Sequence, residues 1–310
     1  SIRAPQAGDE VAAALEARPE PLPVPPVMAV RPGPVPVADR RADPPRHPLA
    51  RTAYLAALAA TGARIVAVTG ASDEARSLAW AAGAMMRDEA AVAVEPPVVP
   101  DKRITVIDGA ACAAGSTGSG PWPGRGHLVL FGLPWETAAL WRLLAAAAIA
   151  PGWTIHLAYS DAVLQEAAAH LERCYPGHDS LRWVYRAVAA LADRAGGIVP
   201  AAATVAARIH ERWPGLVSAA GVEHALAVFG ELGLVAGRPP GPWRLVKPPD
   251  GKVDVGASAR YNDGVRRKQA FAELSRMALG ATPARLIALA AERSELDGLA
   301  VLDPRGARLS

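Results

Sequence analysis

The groups able to do chemistry in this sequence are mostly scattered. Seven histidines stand at 47, 127, 156, 170, 178, 210 and 224, and none forms an H-x-H, H-x₃-H or H-E-x-x-H pair of the kind that holds zinc. His156 alternates with Ile155 and Leu157 in an apolar run, so it reads as a buried, hydrogen-bonded group. Two cysteines, Cys112 and Cys174, are too few for a disulfide framework or a Cys-rich metal site. Cys112 has no base near it, which suits an inert thiol. There is no G-x-S-x-G elbow and no G-x-x-x-x-G-K-[ST] loop. The turn Thr69-Gly70-Ala71-Ser72-Asp73 carries one glycine where a dinucleotide fingerprint needs three. Asp73 and Glu74 would also repel a pyrophosphate there. The segment Gly115-Ser116-Thr117-Gly118-Ser119-Gly120 has no helix directly behind it and reads as a flexible loop. At strand ends the polar candidates are Asp39, Asp108 and Ser160. The expectation is that this chain holds no catalytic set, no metal site and no cofactor of its own.

Charge is concentrated in one run. Arg260, Arg266, Arg267 and Lys268 place four cations in nine residues, with Asp263 the one acid among them. They lie near the start of a helix, where cations oppose the macrodipole. A helix bearing that cost suits contact with phosphate or with an acidic peptide tail, and arginine can grip either in bidentate fashion. Arg40 and Arg41, directly after Asp39, are a second candidate pair for binding DNA or a partner. Isolated arginines carry less meaning. The chain has 29 arginines against four lysines and is rich in alanine, a usage that GC-rich coding produces.

The elements that must position these groups follow from periodicity. Of the 310 residues 51% are hydrophobic and the net charge is +3, enough apolar material for a packed core and about two domains. No apolar run is long enough to span a membrane. The sparse cysteines suggest a reducing, cytoplasmic setting. Eight prolines between Pro19 and Pro36 forbid helix or central strand, so residues 1–36 read as a linker from a domain upstream, with a short helix possible over 9–18. From 37 to 160 short apolar strands alternate with helices, which predicts an α/β unit: a mostly parallel sheet covered by helices on both faces. A Gly/Ser-rich loop over 112–126 interrupts it. Ser72 and Asp179 are expected to cap helices. Residues 161–256 read as helices followed by a two-stranded hairpin, the order of a winged helix. Residues 257–310 hold a long helix from Ala259 to Ala278, with Tyr261, Val265, Phe271, Leu274 and Ala278 on its buried face. A shorter helix spans Pro283 to Ala291, and a tail follows.

Four stretches in order carry a family resemblance: Val37-Ala38-Asp39-Arg40-Arg41, Leu130-Phe131-Gly132-Leu133-Pro134-Trp135, Phe229-Gly230-Glu231-Leu232-Gly233-Leu234 and Ser258-Ala259-Arg260-Tyr261. Over residues 36–290 the chain resembles the C-terminal region of RecJ, the bacterial single-stranded-DNA-specific exonuclease, in its longer form. The resemblance implies an accessory region of a 5′–3′ exonuclease of DNA repair and recombination. The Mn²⁺ or Mg²⁺ ions of such an enzyme are held by an Asp-His-His core that precedes this region, and no Asp-His-His tripeptide occurs here. It also implies contact with single-stranded DNA, with the single-stranded-DNA-binding protein or with a helicase. The loop 112–126 departs from the family pattern. Two other classes remain open on the residues alone: a small-molecule-binding α/β enzyme with a helical cap, and a winged-helix regulator. The second is disfavoured because Ser218 to Leu232 carries Glu223 and Glu231 and no arginine or lysine to read bases.

Overall fold

A computed structural model describes residues 35–70, 72–86, 90–93, 103–110, 122–237, 242–246 and 253–296. Nearly all of the Pro-rich segment, the short helix expected over 9–18, Cys112, most of the loop 112–126, most of the turn at 239–242 and the tail from 297 lie outside the described residues.

Six strands form one sheet: β1 (Val37–Asp39), β2 (Arg64–Thr69), β3 (Ala90–Ala93), β4 (Ile104–Asp108), β5 (Gly126–Leu130) and β6 (Trp153–Leu157). Their order is β1-β6-β5-β2-β4-β3, and every pairing is parallel. Parallel strands need helical crossovers, and those helices bury both faces. The alternation shows it directly. Ile65, Ala67, Val129 and Phe131 turn to one core, beneath helices α1 (Pro48–Ala59) and α2 (Ser72–Met86). Val66, Val68, Leu128 and Leu130 turn to the other, beneath α3 (Thr137–Ile149) and part of α4 (Asp161–Cys174).

Beyond the sheet come α5 (His178–Arg194), α6 (Ala202–His210) and α7 (Ala219–Glu231). An antiparallel pair, β7 (Val235–Ala236) and β8 (Arg244–Leu245), follows them. These helices share a separate core built on Val184, Val188, Val222 and Phe229. The long helix α8 (Ala259–Gly280) packs on α4 and α7 and reaches α3. Its Phe271, Leu274 and Ala278 join the sheet core, as do Leu286 and Ala290 of α9 (Pro283–Leu296). Among the described residues no helix is long and apolar enough to cross a membrane.

Some local expectations need correction. The α5 helix begins at His178 with Gly177 as N-cap, so Asp179 lies inside the first turn instead of capping it. There it still faces the positive end of the helix dipole. Ser72 is the first residue of α2, not the residue before it. The helix expected to end at Ala291 continues as α9 to Leu296. On the long helix the buried positions are Gly264, Phe271, Leu274 and Ala278, while Tyr261 and Val265 are half-buried.

Candidate functional site

The polar groups at the strand ends are each taken up locally. Arg41 clasps Asp39 with two bonds, Nε to Oδ1 at 2.9 Å and Nη2 to Oδ2 at 2.7 Å. That hydrogen-bonded guanidinium holds the Asp39 carboxyl below its ordinary range. The remaining nitrogen of Arg41 donates to the carbonyls of Ala278 at 2.5 Å and Ala281 at 2.8 Å, at the end of α8. Tyr159 adds a bond to Ala278 O at 3.0 Å. Helix C-termini leave such carbonyls without intrahelical partners, so Arg41 is a latch between β1 and α8. Arg40 lies beside it, half-buried. Asp108 accepts from the backbone of Ala110 at 2.9 Å, and Ser160 caps α4 by accepting from Val163 N at 3.4 Å. A cleft of about 580 Å³ opens beside the sheet end between α2 and α4. Two of its lining charges, buried Arg51 and Glu74, pair with each other, and Asp73 pairs with exposed Arg76 from outside the lining. Among the described residues no group of three His, Cys, Asp or Glu side chains is placed to hold a metal ion.

The expected structural role for His156 holds. Its ring is buried between Tyr54 Oη, 2.8 Å from Nδ1, and His127 Nδ1, 2.9 Å from Nε2. Burial, reinforced by the neighbouring His127 and Arg40, pushes His156 down to about 3.

The cations of α8 are brought together, each with a carboxylate. Arg260 meets Glu231 at 3.2 Å, Lys268 meets Glu172 at 2.7 Å, and Arg266 and Arg267 share Asp263 at 3.3 and 2.9 Å. Asp263 is therefore not their only counter-charge: Glu231 and Glu172 come from α7 and α4. The three arginine pairs are exposed, and such pairs are worth about 0–1 kcal/mol, so an incoming anion can displace them; Lys268 is more enclosed. Ser258 caps the helix, accepting from Tyr261 N at 3.2 Å and donating to Glu231 at 2.7 Å.

One of these cations, Arg260, lines a cavity of about 940 Å³, which sequence reading did not anticipate. Its lining joins Arg260 to Trp135, Tyr175, His224 and Trp243. Tyr175 stands edge-on to His224, with centroids 5.0 Å apart, and the Arg267 guanidinium lies 6.0 Å from its ring centre. Gly264 permits this packing. A Cβ there would lie 3.1 Å from Tyr175 and 3.2 Å from His224, so any side chain would push both rings back from the helix. Burial lowers the pKa of His224, and Arg260 lowers it further. Chemically the arrangement offers an aromatic pocket with one guanidinium, that of Arg260, in its lining, suited to an apolar group carried beside a carboxylate. The motifs themselves were the available signal, since Trp135 and Arg260 belong to two of them and Glu231 to a third.

Comparisons with protein-family models, with curated proteins and with solved structures find no match.

Proposed function

We propose that this chain is an accessory C-terminal region of a 5′–3′ single-stranded-DNA exonuclease of the RecJ type. In this reading α5–α7 with β7–β8 form a winged-helix-like module that makes contacts with proteins. The region docks an acidic segment of a repair partner, such as the single-stranded-DNA-binding protein or a helicase, and the parent's Mn²⁺ or Mg²⁺ chemistry belongs to residues elsewhere. One observation carries the docking reading: the cavity combines aromatic walls with the guanidinium of Arg260 in its lining, and the guanidinium of Arg267 lies 6.0 Å from the ring centre of Tyr175, one of those walls. A peptide with an apolar residue near a terminal carboxylate could use both parts.

The test is fluorescence anisotropy with a labelled peptide of the partner's acidic C-terminal tail. Arg260→Ala with Arg267→Ala is expected to weaken binding by about tenfold at low salt, a loss that shrinks as salt screens exposed charge. Unchanged affinity in the folded double variant overturns the docking reading. Parentage is tested separately, by whether the coding sequence ahead of Ser1 carries an Asp-His-His core.

A further inference from the structure

A second surface combines aromatic rings with arginines, on the far part of the helical region. On α5 the inward positions are Leu181, Val184, Val188 and Ala192, which the core buries. Trp183 lies off that stripe, and Arg186, Ala190 and Arg194 follow it at helical spacing on the same side. From α6 and its exit come Arg208, Arg212 and Trp213. Together these residues line a groove of about 450 Å³.

The two indoles meet in its lining, with ring centroids 4.2 Å apart and planes tilted by 41°. Trp213 packs against the helical core, whereas Trp183 rests on Trp213. Both rings stay half-buried. Each carries a guanidinium over its face: Arg186 is 4.9 Å from the centre of Trp183, and Arg212 is 4.8 Å from the centre of Trp213. Among the described residues that line the groove, Glu211 is the one carboxylate, against four arginines, and it is paired with Arg208. The groove therefore keeps a positive excess beside flat apolar faces.

We infer that the groove between α5 and α6 binds single-stranded nucleic acid, with bases stacked on Trp183, Trp213 and their guanidinium partners and phosphates met by the surrounding arginines. Indole faces and guanidinium planes accept any base, because every base has a π-face. A duplex hides those faces inside its stack. An acidic peptide could meet the arginines, but a nucleotide brings a planar π-face together with each negative charge, which suits indoles and guanidinium groups that alternate along the groove. The groove shares no lining residue with the cavity beside Arg260. The inference deepens the accessory reading by naming a ligand for this part of the chain, and it rests on that reading for its biological setting only.

The experiment titrates the full chain into a fluorescein-labelled oligothymidylate of about 15 nucleotides at low salt. Trp183→Ala and Trp213→Ala are each expected to weaken binding about tenfold, the scale of one lost base stack. Trp183→Phe keeps a ring on the same helix face and retains most of the affinity. Arg186→Ala with Arg212→Ala weakens binding by an amount that falls as salt rises, and a duplex of equal length competes poorly. Wild-type affinity in a folded Trp183→Ala protein overturns the inference, and so does equal competition by the duplex. Binding of an acidic peptide that depends on Trp183, without binding of the oligonucleotide, overturns it as well. The Arg260→Ala, Arg267→Ala protein run alongside separates the two proposals: its loss of oligonucleotide binding with the Trp183 variants unaffected assigns the nucleic acid to α8. Its unchanged peptide affinity sinks the docking reading and leaves the groove standing.

Discussion

At the carboxyl end of the sheet, charged groups are turned toward one another. Along α5, α6 and the start of α8 they are turned toward water. Arg41 is 13% exposed and spends its donors on Asp39 and the α8 carbonyls, and Arg51 is 7% exposed against Glu74. Arg266, by contrast, is 72% exposed and holds Asp263 by one bond at 3.3 Å. The same residue type does two jobs, and geometry separates them. Where a guanidinium has several acceptors and little water it joins elements together. Where it stands beside an aromatic ring in solvent, its charge remains available to a ligand.

The comparison can be broken most directly at Arg41. Arg41→Ala removes the side-chain donor shared by Asp39 and the carbonyls of Ala278 and Ala281, leaving Asp39 only the backbone N–H of residue 41 and Ala278 only the Tyr159 hydroxyl, and should cost about 3 kcal/mol. Urea unfolding would measure it, and a loss below about 0.5 kcal/mol would remove the latch from the account. A second effect comes from the His156 network. Its folded pKa lies below the unfolded value, so the unfolded chain takes up the proton first as pH falls. Stability from this group is whole above about pH 6.5 and drains as pH falls toward about 3. The slope is about 1.4 kcal/mol per pH unit, or about 2 kcal/mol lost by pH 5. His156→Gln preserves polar contacts without a titrating ring and should flatten the slope between pH 7 and 5; parallel slopes in the two proteins would contradict this. The smallest effect is expected at Arg266. Arg266→Ala should change stability by no more than about 0.5 kcal/mol, and a loss above about 1 kcal/mol would erase the contrast between the two regions.

What could be read from the sequence depended on how local the cause was. Strands β2, β4 and β5 declare themselves as apolar runs because both faces are buried, and α8 begins at Ala259 as expected. The Arg41 latch has no such signature: its acceptors are main-chain carbonyls whose residues, Ala278 and Ala281, could be almost any type. Glu231 and Glu172 neutralise α8 from other helices, which a charge count along one helix cannot register. The cavity beside Arg260 draws walls from four separate elements. Trp183 and Trp213 sit thirty residues apart, on α5 and just beyond α6, and their pairing depends on how the two helices cross. Gly264 gives no sign in the sequence that two rings, from Tyr175 and His224, pack against the α8 backbone there.

The Arg41 latch also has a consequence for how the molecule is made. It joins residues separated by 237 positions or more, so during synthesis the first strand of the sheet is complete long before its anchor exists. Until α8 emerges, β1 is an edge held by its ladder to β6 alone, and β6 itself arrives more than a hundred residues after it. Contacts so distant along the chain close late and slowly. The nascent chain therefore passes through a stage in which the sheet's outer edge is bare, and the arrival of the last long helix seals it.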